Sequence, residues 1–208
     1  HNHEWRLDPA RIKIEVDSSR VDIDRLYVSG PKQSLTISGV ASRERGDSVL
    51  IKLDNFDLSP VSMFTSRVGY DVGARSNGSA TIKSLLHEPQ IEAQIDLDSI
   101  NVNGIYAPSQ KAVSNWDFEQ NRARVFIIDR ESRDTTIRGY YQPRGNRYYA
   151  ATRIKNVPME LISPFLTGII SNIEGSADVE AQVRGVGRKA VLSGQGKVDS
   201  LSVKERPN

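Results

Sequence analysis

The side chains that carry out most enzymatic chemistry are scarce in this sequence. The chain of 208 residues contains three histidines and no cysteine. His1 and His3 stand at the first positions with no third metal ligand beside them, and His87 lies close to Pro89 in a segment typical of a turn. A Ser-His-Asp site, a Cys-His site and a zinc site all lack the residues that they require. The sequence therefore predicts no catalytic residue and no metal site.

Other patterns match the spacing of a chemical motif without its structural context. Ser29–Lys32 has Ser-x-x-Lys spacing, but its central Gly-Pro prevents the helical turn that brings such a lysine to its serine. Asp22 and Asp24 place two carboxylates about 7 Å apart on one side of a strand, which is ordinary for a solvated face. Gly185–Gly187 lacks the further glycine and the helix of a dinucleotide-binding loop. The sequence predicts that the protein is not an enzyme and binds no cofactor.

Composition and charge indicate a folded chain with little electrostatic attraction for nucleic acid. Hydrophobic residues make up 38% of the chain and the formal net charge is +2. No apolar run approaches the roughly 18 to 20 residues that span a bilayer, so the sequence predicts a soluble chain. Residues 121–155 are locally basic, with nine Lys or Arg and three Asp or Glu. We interpret this segment as the solvated face of strands, with contact to an anionic partner as the alternative.

Most of the chain alternates between apolar and polar residues. Arg11–Asp17 reads Arg-Ile-Lys-Ile-Glu-Val-Asp, and Ala177–Arg184 alternates in the same way. This period of two predicts antiparallel strands with one buried and one wet face. Two segments differ: Val61, Phe64 and Val68 predict a short helix near 59–70, and a second pattern at helical spacing predicts a helix near 158–173. The apolar residues of the second helix are Ile162, Leu166, Ile169 and Ile173.

The chain contains two copies of one pattern, in residues 1–104 and 105–208. Thr36–Gly39 corresponds to Thr136–Gly139, Asn55-Phe56 to Asn156-Val157, and Gly78–Ala80 to Gly175–Ala177, at offsets between 97 and 101 residues. Repeats carried by turn glycines and apolar parity are typical of stacked structural units. They predict one continuous, elongated antiparallel sheet. A pair of compact β-sandwich domains is the alternative.

Two runs of sequence resemble a known family. Leu53–Leu97 combines an apolar strand, Asn-Phe-Asp-Leu-Ser-Pro, a short helix, Gly-Ser-Ala-Thr-Ile and Glu-Pro-Gln-Ile-Glu-Ala-Gln-Ile-Asp-Leu, and Ile154–Val203 repeats this order more weakly. In this order the runs resemble the C-terminal repeat region of the TamB and AsmA-like family. The second run departs from the pattern, because Gly185–Lys189 stands in place of the Glu-Pro-Gln turn.

That resemblance implies an all-β fold in which a long antiparallel sheet curls into a U-shaped apolar trough with two short helices. It also implies a periplasmic piece of a longer protein, anchored in the inner membrane by an N-terminal segment outside this sequence. The family transports phospholipid and supports outer-membrane protein assembly, with an outer-membrane partner of the BamA/TamA type. It has no catalytic residues to transfer to this chain.

The leading hypothesis for function is a trough that holds or conducts phospholipid acyl chains. The helix near 158–173 is predicted to pack on the trough as a lid through Ile162, Leu166, Ile169 and Ile173. The residues predicted to line the trough are Ile12, Ile14, Val16, Ile37, Ile51, Leu53, Ile82, Ile95, Leu97, Phe118, Val125 and Ile127. The alternative is a scaffold that binds nascent outer-membrane strands by edge pairing, and self-association through exposed edges is expected in either case.

Overall fold

The computed structural model describes residues 5–44, 46–59, 62, 71–161 and 173–203, and the side chains of 173, 174 and 199–203 are not described. These residues form an all-β fold, as predicted. The strands are Arg6–Leu7 (β1), Ile12–Glu15 (β2), Arg20–Gly30 (β3), Gln33–Ala41 (β4), Ser48–Asp57 (β5), Val72–Lys83 (β6), Gln90–Val102 (β7), Ile105–Ala107 (β8), Gln110–Asp117 (β9), Arg122–Asp129 (β10), Thr135–Gln142 (β11), Arg147–Pro158 (β12), Ile173–Val186 (β13) and Lys189–Val203 (β14).

All of these strands belong to one 14-stranded antiparallel sheet that follows the chain. The order is β1-β3-β4-β5-β6-β7-β9-β10-β11-β12-β13-β14, while β2 also pairs with β3 and β8 also pairs with β7. β7 pairs with β9 through Ala93–Leu97, which joins the two halves of the chain into one sheet. This pairing excludes two separate sandwich domains. Within the described residues the sheet does not close on itself, and β1 and β2 form one edge while β14 forms the other.

The two predicted helices fall largely outside the described residues. For the first, only Ser59 and Ser62 are described as helical, and 60–61 and 63–70 lie outside. For the second, Met159–Leu161 are helical, and 162–172, with Ile162, Leu166 and Ile169, lie outside.

The predicted limits of the second helix are corrected by the structure. Pro158 is the last residue of β12, and Ile173 is the first residue of β13, where it pairs with Val203 of β14. Gly175, two residues further along, lies inside β13 with a φ of 136°. Pairing along β14 provides backbone partners for Ile173, and this non-local interaction outweighs the local apolar spacing at the end of the predicted helix.

One irregularity occurs in the same place in each half of the sheet. The register of β5 with β6 shifts at Asn55, and the register of β12 with β13 shifts at Asn156. Their φ values are 45° and 53°, in the left-handed region that asparagine tolerates better than most residues. The N–H of Asn55 donates to Asn77 Oδ1 at 2.7 Å, and the N–H of Asn156 donates to Asp178 Oδ1 at 3.1 Å. In both halves a side chain of the next strand therefore satisfies the N–H that the bulge leaves free.

These bulges define which residues of the two halves are equivalent. Phe56 pairs with Ser76 after the first bulge, and Val157 pairs with Ala177 after the second, so both pairs are related by 101 residues. The sequence match of Gly78–Ala80 to Gly175–Ala177 is therefore shifted from the structural equivalence. The two segments share small residues, but they lie at different positions along their strands.

Two carboxylates close the turns on either side of β10. Asp117 Oδ1 accepts a hydrogen bond from the N–H of Gln120 at 3.2 Å, and Arg122 donates to Asp117 Oδ2 at 3.4 Å. Asp129 Oδ1 accepts hydrogen bonds from the N–H groups of Ser132 at 2.8 Å and Glu131 at 2.9 Å. The N–H of Gln120 holds the pKa of Asp117 below its ordinary value, and the N–H of Ser132 does the same for Asp129.

These depressed pKa values predict a loss of stability in acid. Because each folded-state pKa lies below the unfolded one, the stabilisation is present above the ordinary carboxyl pKa of about 4 and is lost as the pH falls through the folded value. We expect the free energy of unfolding, measured by urea denaturation between about pH 2 and pH 7, to fall below about pH 4. The double variant Asp117→Asn, Asp129→Asn keeps hydrogen-bond acceptors but does not titrate, so its acid slope should be shallower. An unchanged slope would contradict this assignment.

Candidate functional site

Cross-strand partners in a sheet place their side chains on the same face, so the register divides the residues between two faces. We define the aliphatic face by two rows of paired residues that cross every strand from β3 to β14 except the short β8. The first row is Leu26, Ile37, Ile51, Ala80, Ala93, Ser114, Val125, Gly139, Ala150, Val183 and Leu192. The second is Val28, Leu35, Leu53, Gly78, Ile95, Ala112, Ile127, Ile137, Thr152, Ala181 and Gly194.

The opposite side, the polar face, has a different composition at the same level of the sheet. Its row between the two aliphatic rows is Tyr27, Thr36, Lys52, Ser79, Gln94, Val113, Phe126, Arg138, Ala151, Gln182 and Ser193. Most of the charged residues in the strands lie on this side. The two faces therefore differ in chemistry along the whole sheet.

The structure brings most of the predicted lining residues together on the aliphatic face. Those on it in the long strands are Ile37, Ile51, Leu53, Ile82, Ile95, Leu97, Val125 and Ile127. Ile12 and Ile14 are on the same side at the β2 edge, opposite Ile23 and Val21, where they are 46% and 66% exposed.

Two predicted lining residues lie outside the strands. Val16 follows β2 in a turn and is 82% exposed, and Phe118 lies in the turn between β9 and β10 and is 68% exposed. Alternation alone predicts the side of a strand on which a residue lies, and it does not mark the residue at which the strand ends. Val16 and Phe118 are thus separated from the rows that the other residues form.

Several members of the aliphatic face were absent from the predicted lining. They are mostly small residues, such as Ala80, Ala93, Ala112 and Ala150, together with Val183 and Leu192 near the last edge. The alternation of Ala177–Arg184 predicts that Val183 lies on the apolar side of its strand. Alanine and glycine give only a weak hydrophobic signal, so the alternation of large apolar side chains does not identify them. The rows became visible only through the register.

One end of the aliphatic face is capped by aromatic side chains. Trp116 pairs with Ala123, which pairs with Tyr141, and these large neighbours leave Ala123 only 2% exposed. Trp116 is 8% exposed, and within the described residues its Nε1–H is buried without a hydrogen-bond partner. A buried indole N–H usually has a hydrogen-bond partner, so the desolvation of this donor costs free energy that no hydrogen bond offsets.

The other end of the aliphatic face is partly covered by residues that flank the strands. Met159, at the start of the second helical segment, is 4% exposed and packs against Ala177 and Val179. Trp5 lies against Phe56, with ring centroids 5.8 Å apart. The segment that contains the predicted lid therefore begins on the aliphatic side of the sheet.

Little else in the described part of the chain offers chemistry. No group of three His, Cys, Asp or Glu side chains in it has the arrangement of a metal site. Within the same residues, no helix has the length and apolar character needed to cross a membrane. The continuity of the aliphatic face from β3 to β14 makes it the candidate functional surface.

Comparison with known proteins gives no relative from which a function could be transferred. No family model, curated protein or solved structure matches this chain. Its function has to be argued from the sheet and its two faces.

Proposed function

We propose that the aliphatic face is the inner surface of an open trough that holds or conducts phospholipid acyl chains. The observation that carries the proposal is the continuity of the two aliphatic rows from β3 to β14 in a single sheet. At about 4.8 Å per strand, such rows extend on the order of 50 Å. An apolar face of this extent needs a cover, and the described residues form a single sheet with no second layer to supply one.

Acyl chains suit this surface energetically. Each methylene removed from water contributes about 0.8 kcal/mol, so a chain of about sixteen carbons gains on the order of 10 kcal/mol without a specific polar contact. The rows consist of Ile, Leu, Val, Ala and Gly with few polar interruptions, and no directional chemistry is required of them. The proposal therefore explains a large ordered surface in a chain whose sequence predicts no catalytic site.

The cellular setting in this proposal comes from the resemblance to the TamB and AsmA-like family. The chain would act in the periplasm as part of a longer protein anchored in the inner membrane. It would guide phospholipid between the inner and outer membranes and support outer-membrane biogenesis beside a BamA/TamA-type protein.

Native mass spectrometry of the protein isolated from cell membranes tests the binding step. We expect phospholipid to remain bound under mild ionisation, and we expect a phospholipid with a fluorescent acyl chain to exchange into the purified protein. A water-soluble headgroup analogue without acyl chains should not compete. Repeated isolation without lipid, together with no uptake of the fluorescent phospholipid, would overturn the proposal.

A second candidate function is a scaffold that binds extended protein segments at an edge of the sheet. It is favoured by β14, which runs from Lys189 to Val203 and pairs only with β13 among the described residues. Val191 and Leu192 on this strand are 59% and 62% exposed. A long edge with unpaired backbone groups and apolar side chains can accept another strand by β-augmentation.

Edge pairing predicts concentration-dependent self-association. We expect sedimentation velocity to show larger species as the protein concentration rises, because the β14 edges of two copies can pair. Val191→Lys should weaken this association by placing charges along the edge, whereas Val191→Thr, which keeps the β-branched shape, should leave it nearly unchanged. If the protein stays monomeric at high concentration, the scaffold function loses its support, and the result also counts against an open trough with a free β14 edge.

A further inference from the structure

The polar face changes its charge along the sheet. Between β2 and β9 it carries both signs, with Asp22, Asp54 and Glu92 near Lys13, Lys52 and Lys83. From β10 to β13 it carries Arg122, Arg124, Arg138, Arg147, Arg153 and Arg184. The acidic side chains described on the same side of these strands are Asp178 and Glu180. The second half of this face is therefore strongly basic.

The nearby carboxylates are already engaged by other groups. Glu180 forms an ion pair with Arg153 and accepts a hydrogen bond from Gln195 Nε2 at 3.0 Å. Asp178 accepts the N–H of Asn156, and Asp117 on β9 pairs with Arg122 at 3.4 Å.

Three arginines on this face have no such partner. No carboxylate among the described residues lies within ion-pair distance of Arg138, Arg147 or Arg184, and all three are exposed. Their positions on the neighbouring strands β11, β12 and β13 collect three free guanidinium groups in one region of the sheet.

An aromatic stack lies between these arginines. The rings of Tyr140 and Tyr149 are stacked with centroids 5.8 Å apart, and the guanidinium of Arg122 lies 4.5 Å above the ring of Tyr140. Tyr149 and Arg184 are direct cross-strand partners. Because Tyr140 is in contact with both Arg122 and Tyr149, its ring is poorly available for stacking with nucleic-acid bases. The cation–π contact instead holds the Arg122 guanidinium against this face of the sheet.

We propose that this basic surface, defined by Arg138, Arg147, Arg184 and the Arg122–Tyr140–Tyr149 stack, docks on the phosphate-rich surface of a bilayer that contains anionic phospholipid. Charge complementarity carries the assignment, because guanidinium groups form paired hydrogen bonds with phosphate oxygens and a sheet face presents several of them at once. Basic residues near an anionic leaflet attract it through its negative surface potential. The proposal concerns the opposite side of the sheet and does not rest on acyl-chain binding by the aliphatic face.

Vesicle co-sedimentation with the purified chain tests this docking. The probes are vesicles of phosphatidylcholine alone and of phosphatidylcholine with about one third phosphatidylglycerol, and we expect binding to the second kind that weakens as salt is added. The triple variant Arg138→Gln, Arg147→Gln, Arg184→Gln should bind them on the order of 100-fold more weakly.

The matched control removes three positive charges from the first half of the chain, with Arg11→Gln, Arg43→Gln and Lys52→Gln. These side chains are exposed, and the control changes the net charge by the same amount. It should retain most of the binding, and circular dichroism should show the same strand content in all three proteins.

Three outcomes would overturn the docking proposal. The first is equal binding to neutral and anionic vesicles, which would assign the attraction to apolar contacts. The second is an equal loss of binding in both triple variants, which would assign it to net charge. The third is tighter binding of single-stranded RNA than of anionic vesicles, lost in the Arg138, Arg147, Arg184 variant, which would make the partner a nucleic acid.

Discussion

Replacing Gly78 with alanine is expected to destabilise the protein by about 3 kcal/mol or more. Gly78 has a φ of 141°, a conformation that residues with a Cβ rarely adopt. A methyl group at this position would overlap the backbone carbonyl oxygen of Gln94 on β7. Because Gly78 pairs with Leu53 on one side and Ile95 on the other, relief of this overlap requires β6 and β7 to separate in the middle of the sheet.

Gly73→Ala is the matched control, since Gly73 lies in the same strand and pairs with Asn101 of the same neighbour. Its φ is not in the left-handed region, and among the described residues an added methyl group would meet Ser59 Oγ at 3.4 Å, an ordinary contact distance. We expect Gly73→Ala to change the free energy of unfolding by less than about 1 kcal/mol. Urea denaturation measures the free energy of unfolding of both variants, and the midpoints are compared where the dependence on urea concentration is the same. Similar midpoints for the two would show that the close approach of β6 and β7 at Gly78 does not exist in solution.

A charge on the aliphatic face is expected to abolish phospholipid binding. Ile95 lies in the second aliphatic row between Gly78 and Ala112, and its side chain is half-buried. In Ile95→Asp, a bound acyl chain would have to desolvate the carboxylate or leave water beneath itself, at a cost of several kcal/mol. We expect retained phospholipid, measured by mass spectrometry, to fall at least about tenfold. Under the proposed function, resistance of the outer membrane to detergent should fall as well in cells that carry this variant.

Gln94→Asp supplies the control with the same introduced charge one residue away. Gln94 is exposed on the polar face, where it pairs with Ser79 and Val113, so its variant should bind lipid like the unmodified protein. Gln94→Arg should also be nearly silent. Equal losses in Ile95→Asp and Gln94→Asp would remove the support for acyl-chain binding, and so would a loss in Ile95→Asp that follows only from unfolding.

The side of the sheet on which a long strand places its apolar residues was predictable from the sequence. Ile51 and Leu53 alternate with Lys52, and Ile95 and Leu97 alternate with Asp96, and each set lies on one face as predicted. This property is local, because successive side chains of any strand point to opposite sides. Strand content and the antiparallel arrangement follow from the same alternation and from the short turns between the strands.

Register and strand ends depended on the tertiary structure. At the bulges of Asn55 and Asn156, the odd and even positions of the strand exchange sides of the sheet. Each bulge depends on a hydrogen-bond acceptor some twenty residues further along the chain, Asn77 for the first and Asp178 for the second. Ile173 has helical spacing with the residues before it and nevertheless begins a strand, because β14 provides its pairing. Such interactions join positions that are distant in sequence, so a window of local periodicity cannot contain them.

The distribution of the arginines shows the same division. The sequence by itself determined that residues 121–155 carry an excess of positive charge and that alternation sends many of these side chains to water. Only the tertiary structure decided that Arg138, Arg147 and Arg184 come together on neighbouring strands while the nearby carboxylates are held by other partners. The physical reason is that periodicity fixes the side of a strand, whereas cross-strand pairing fixes which charges become neighbours and which remain unpaired.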